Sequence, residues 1–119
     1  MPSTTTYDGG EVVVVNVLFS SQSGFKPRPA VVVSTNNFHR DLPDVIVCPI
    51  SSQPQHYAQP GSGGCPLVHW KGVGLRYPST VRVSNIVAVE KTIIKRVLGM
   101  LSDDDLDQVR KRLRHAFGL

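Results

Sequence analysis

EVVVVNVLF, residues 11–19, is an almost unbroken run of apolar, mostly β-branched residues. Its side chains do not alternate apolar and polar, as they would on a strand with one wet face. Four consecutive valines also disfavour a helix, where β-branched side chains lose χ1 freedom. The run predicts a central strand buried on both faces.

Working outward, Ala30–Ser34 and Val45–Ile50 read as further strands, reached through loops at residues 20–29 and 35–43. Pro49 suggests a free edge or a bulge at the end of the third strand. Residues 54–77 are the least regular third, with a flexible tip at QPGSGG and a short strand at Leu67–Trp70. Ser79–Glu90 contains VRVSNIVAV, a further strand. A single turn is expected at Lys91–Ile94 and a short strand at Arg96–Leu101. Residues 1–9 are polar and read as a flexible tail.

The period changes at SDDDLDQVRKRLRHAFGL. Leu106, Val109, Leu113, Ala116 and Phe117 form an apolar helical stripe. Ser102 suits the N-cap, and Asp105 stands in a capping-box-like position. Acids at Asp103–Asp105 and bases from Arg110 to His115 complement the helix dipole. Helix stability therefore explains this basic cluster, which is not read as a nucleic-acid site. Short strands followed by one amphipathic helix make the chain α+β and mainly β. The expected form is a small barrel or strongly twisted antiparallel sheet with the helix packed on it, in one domain over residues 1–119.

The composition agrees. The 119 residues are 40% hydrophobic and only 7% aromatic, so the core is built from Val, Ile and Leu. A net charge of +4 permits a nucleic-acid partner without requiring one. Cys48 and Cys65 fit no metal or redox spacing; Cys48 reads as a buried thiol, and a Cys48–Cys65 disulfide is possible but not required. The N-terminus has neither the basic nor the apolar region of a secretory signal. No apolar run approaches the ~20 residues that cross a bilayer. The chain reads as cytoplasmic, with no membrane partner.

The chemistry concentrates in GFKPRPAVVVS, residues 24–34. Pro27 and Pro29 restrict the backbone around Arg28 and hold a cation at the mouth of a strand. A guanidinium fork matches phosphate oxygens and stays charged. Pairing of Arg28 with Asp41 or Asp44 is the plain alternative. In PISSQ, residues 49–53, small hydroxyls and an amide gather at a strand end; they suit a phosphoryl oxygen or an ordinary turn. On a continuous strand Arg82 and Ser84 would share one face, either solvent-facing or the floor of a binding site. Four histidines lack metal-binding spacing, and no cofactor motif is present: no GxGxxG, no P-loop, no GxSxG. His39 and His56 lie in loops beside these residues and are candidates for proton transfer.

EVVVVNVLFS, KPRPAVVVS, DVIVCPISSQ, HWKGVGL, PSTVRV and the C-terminal LGMLSDDDLDQVRKRLRHAFGL, in this order, resemble the MazF/PemK family of toxin ribonucleases. The resemblance covers the chain from about Gly10. It implies an SH3-like small barrel of the CcdB/PemK-like kind, usually a homodimer, neutralised by a cognate antitoxin. It implies sequence-specific, metal-free cleavage of single-stranded RNA. The 2′-OH attacks the adjacent phosphate and leaves a 2′,3′-cyclic phosphate and a 5′-OH. Arg28 matches the family's catalytic Arg in its RPA motif, and Ser51 its catalytic Thr or Ser. Phe25, Lys26, Ser52, Gln53, Arg82 and Ser84 are the expected RNA-binding residues, with Phe25 stacking on a base. PemK-like members carry an Asp at the position of Ser84, and serine cannot replace it as a base. The alternatives are a non-nuclease member, resembling gyrase poisons through its AFGL terminus, or a degenerate structural dimer. Against the first, Phe117 is expected in the core.

Overall fold

A computed structural model describes residues 6–17 and 26–119. The valine run forms β1 (Glu11–Val17), flanked by antiparallel β2 (Lys26–Val32) and β7 (Ile94–Met100). β3 (Asp44–Ser51) follows β2 and also pairs with β5 (Thr80–Arg82) and β6 (Val87–Glu90). β4 (Gly64–Pro66) completes the order β4-β5-β3-β2-β1-β7, with β6 added on β3. Among the described residues every pairing is antiparallel and β4, β6 and β7 each pair with a single strand, so the sheet does not close into a barrel.

Burial on both faces follows the strand period of two. Val13 and Val15 of β1, Ala30 and Val32 of β2, and Val45 and Val47 of β3 form one apolar cluster. Val12, Val31, Cys48 and Ile50, out of phase with these, form the other with Leu67, Val81 and Leu101. The second cluster is covered by α3 (Asp103–Phe117), which buries Val109 and packs Leu106 and Leu113 against it. Gly10, at φ +98°, lets the chain pass close to this helix: a Cβ there would lie 2.8 Å from Leu106 Cδ2. Gly118, at φ +70°, ends the helix in the left-handed conformation.

Several expectations are corrected. β2 begins at Lys26 rather than Ala30, so Pro27 and Pro29 lie inside a strand. Pro49 is not at a free edge. β3 pairs with β6 up to Val47 and with β5 from Ile50, and Pro49 falls at this handover, where a missing N–H is tolerated. The strand expected at Leu67–Trp70 lies at Gly64–Pro66 instead. A 3-10 turn at Val83–Asn85 interrupts the strand expected over Ser79–Glu90, closed by Ile86 N–H donating to Val83 O. Short helices α1 (Asn36–His39) and α2 (Pro54–Ala58) occupy residues read as loop or irregular chain. The expected turn is present at Lys91–Ile93. Both cysteines are buried free thiols.

The flexible tail does not extend through Tyr7. That ring is buried in the first cluster, and its backbone carbonyl accepts from His39 Nε2. Phe117 is not a core residue: it is 60% exposed, because the last turn of α3, residues 114–117, is left uncovered. Asp105 does not reach back to the N-cap. Ser102 Oγ accepts from Asp105 N–H at 3.2 Å, while the buried Asp105 carboxylate accepts from Val68 and His69 N–H, each at 2.9 Å. No helix among the described residues is long and apolar enough to cross a membrane.

Candidate functional site

The β2–β3 ladder ends at Ala30 opposite Pro49. Beyond it, Ile50 and Ser51 pair with Val81 and Thr80 of β5, and β2 is left without a partner on that side. Prolines at 27, 29 and 49 supply no N–H with which to extend the ladder. A cleft of about 590 Å³ opens where the strands part. Val14 lies in its floor, with its register partners Pro29 and Arg96 on either side.

Arg28 and Lys26 from the start of β2, and Ser51, Ser52 and Gln53 from the end of β3, line this cleft together with His56. Arg82 joins them from β5. The wall also includes residues that sequence reasoning missed: Arg76, Tyr77 and Ser79 from the segment before β5, Asn85 from the turn after it, and Arg96 from β7. Among the described residues five cations therefore line the cleft, and no carboxylate does. Among the described residues the sole ion contact within 4 Å is His69 to Asp104, at 3.9 Å. Arg28 is thus not held by Asp41 or Asp44. Uncompensated cations converging on a concave surface are a phosphate-binding arrangement.

Ser51 is engaged locally. Gln53 N–H donates to its Oγ at 3.2 Å, and His56 Nδ1 lies 2.7 Å from the same oxygen. Pro54 explains the return of the chain. It occupies the first position of α2, fixes the extended Gln53 before it and starts the turn that carries His56 back to Ser51. His56 N–H donates to Gln53 O at 3.0 Å and closes that turn.

The remaining candidates lie elsewhere. His39 is buried on α1, outside the cleft. Its Nε2 donates to Tyr7 O and its Nδ1 accepts from Ser34 Oγ at 2.8 Å. With both ring nitrogens engaged it has none to offer a substrate. Ser84 sits in the Val83–Asn85 turn beside Gly63, with its hydroxyl donating to Asn85 Oδ1 at 3.0 Å, and does not line the cleft. The turn breaks the alternation that would have put it beside Arg82. Phe25 lies outside the described residues.

Over residues 8–117 the sequence matches the family described as PemK-like, MazF-like toxin of type II toxin–antitoxin system. An endoribonuclease in complex with its cognate antitoxin, from a mycobacterial species, superposes with a TM-score of 0.76 at 18% identity, over 96% of this chain and 97% of that one. A MazE–MazF complex from Deinococcus radiodurans gives a TM-score of 0.73 at 22% identity, over 95% and 97%. The Mycobacterium tuberculosis toxin MazF-mt6 gives 0.71 at 20% identity, over 92% and 97%. No curated protein matches the sequence.

Proposed function

The chain belongs to the PemK-like, MazF-like toxin family of type II toxin–antitoxin systems, and from that premise we propose that it is a sequence-specific, metal-independent endoribonuclease acting on single-stranded RNA. The carrying observation is the cleft itself: Arg28 and Ser51 line it together, among five cations and no carboxylate. Attack of a 2′-OH on the adjacent phosphate places negative charge on the non-bridging oxygens of a pentacoordinate phosphorus. A fixed guanidinium and a hydroxyl donor stabilise that charge more than they stabilise the starting diester. Lys26, Ser52, Gln53 and Arg82 hold backbone phosphates and bases along the same surface. Dependence on a 2′-OH restricts cleavage to RNA. The protein works as a homodimer, and an acidic segment of a cognate antitoxin competes for the cationic cleft.

Cleavage of a long single-stranded RNA in EDTA by wild type and Arg28→Ala tests this. We expect defined cuts bearing 5′-OH ends, lost in the variant. Absence of cleavage by folded wild type would overturn the reading.

One observation favours a second reading, a non-nuclease toxin binding its target through the C-terminus. Phe117 is 60% exposed and Leu119 88%. Deleting residues 117–119 would abolish toxicity in that case, while Arg28→Ala would spare it.

A further inference from the structure

A cleavage that begins with a 2′-OH needs a group to take its proton. We infer that His56 is this general base, an assignment that rests on the ribonuclease reading above. Among the described residues His56 is the only imidazole or carboxylate lining the cleft. Residues 18–25 contain neither in their sequence. His39 is internally saturated, and Ser84 is outside the cleft.

The hydrogen bonds around Ser51 accommodate the tautomer this role requires. Ser51 Oγ has two acceptor positions and one proton to donate. Gln53 N–H occupies one acceptor position at 3.2 Å. In the assigned state His56 Nδ1–H donates to the other across the 2.7 Å contact. Two consequences follow together. The Ser51 proton is left free for a phosphoryl oxygen, and His56 Nε2 keeps its lone pair on the ring edge away from Ser51. One hydrogen bond thus fits the serine to donate and the histidine to accept.

The step balances without a co-reactant. Nε2 takes the 2′-OH proton as the O2′–P bond forms. The P–O5′ bond breaks with its electron pair leaving on O5′, which is protonated by solvent, and the imidazolium returns its proton to solvent. The products are the 2′,3′-cyclic phosphate and a 5′-OH. The other titratable or charged groups lining the cleft are Lys26 and Arg28 of β2, Arg76 and Tyr77 before β5, Arg82 of β5 and Arg96 of β7.

The test compares wild type with His56→Asn and His56→Gly on an RNA oligonucleotide, alongside the same oligonucleotide carrying 2′-deoxy sugar at the cut site. Asparagine can keep the amide N–H to Ser51 but has no base at the Nε2 position. His56→Asn is expected to lose about 10²–10⁴-fold in kcat with KM and circular dichroism retained. It should also lose the acid limb of the wild-type pH–rate profile. Imidazole should partly restore His56→Gly, and the deoxy substrate should be inert. A wild-type rate in His56→Asn would reduce His56 to orienting Ser51 and overturn the assignment. So would cleavage of the deoxy substrate, which would make Ser51 itself the nucleophile. Failure of wild type to cut any RNA would overturn the ribonuclease reading and this assignment with it.

Discussion

Arg28 and Ser51 occupy the same step of the β2–β3 register, two residues beyond its last pair, Ala30 and Pro49. Had the ladder continued they would be cross-strand partners. Prolines at 27, 29 and 49 deny it the donors, while Ser51 stays paired to β5 on the opposite edge of β3. The two groups are therefore positioned by a sheet but separated by a cleft. That geometry explains why a cation sits between two prolines at the start of a strand.

It also distinguishes charge from shape at position 28. Lysine keeps the charge and loses the planar fork that engages two phosphate oxygens. Arg28→Lys should lower kcat by about 100-fold, in the range of a lost transition-state donor. RNA binding should change little. Equal loss of kcat in Arg28→Lys and unimpaired cleavage in Arg28→Ala are the two extremes, and the second would remove Arg28 from the chemistry.

Much of this was legible in the sequence. The valine run reads as doubly buried, and Val12 and Val13 do fall in opposite clusters. RPA and PISS stand out because proline and hydroxyl residues at strand ends are locally unusual. Arg76, Tyr77 and Arg96 were missed because nothing near them in sequence signals a site. They reach the cleft only through β7 pairing with β1 and the segment entering β5. Ser84 and Phe117 were misplaced because a period-based reading assumes an uninterrupted strand and a fully covered helix. The chain provides a turn at Val83–Asn85 and an uncovered final helical turn.

Tyr77 is an exposed aromatic residue lining the cleft, at 61% exposure. Its mobility is limited: Pro78 follows it, and Ser79 Oγ donates to its carbonyl at 2.7 Å. An aromatic ring on a restricted backbone beside cations suits base stacking. Tyr77→Ala should weaken single-stranded RNA binding by about 1–3 kcal/mol, while Tyr77→Phe should bind as wild type. Fluorescence anisotropy with a non-cleavable 2′-deoxy analogue measures this, and weakening by both variants would point to the hydroxyl instead of the ring.

The Asp105 carboxylate gives a stability test away from the cleft. It accepts from Val68 and His69 N–H and so fixes the chain leaving the buried Leu67. Removing it leaves two donors without their charged partner. Asp105→Ala should cost about 3 kcal/mol in denaturant unfolding, and Asp105→Asn somewhat less, since it keeps one acceptor. A loss below the scatter of surface substitutions would show that water replaces both bonds.

Burial pushes the Cys48 thiol up to about 12 from an ordinary 9.0. The unfolded chain therefore releases this proton first as pH rises. The thiol's contribution to stability is complete below pH 9 and is lost progressively towards pH 12. Wild type should fall in unfolding free energy more steeply over that window than Cys48→Ala. Burial raises Cys65 as well, so that residue continues the trend in the variant. Identical slopes would mean that the native core opens before Cys48 ionises.

Salt dependence separates the two basic regions of the molecule. Lys26, Arg28, Arg76, Arg82 and Arg96 line the cleft, whereas Arg110, Lys111 and Arg114 lie along α3, with Arg114 in its last turn where the helix dipole favours a cation. Each phosphate contact to a single strand contributes about −0.7 to the slope of log K against log salt. Arg96→Ala should therefore make the slope less steep by roughly 0.7 and lower affinity at low salt. Arg114→Ala should leave both unchanged. Arg96 is the more informative choice within the cleft, because it lies on β7, far in sequence from the motifs around Arg28 and Ser51. A slope that responds to Arg114 and not to Arg96 would move the RNA from the cleft onto the helix and sever the link between binding and the Arg28–Ser51 pair.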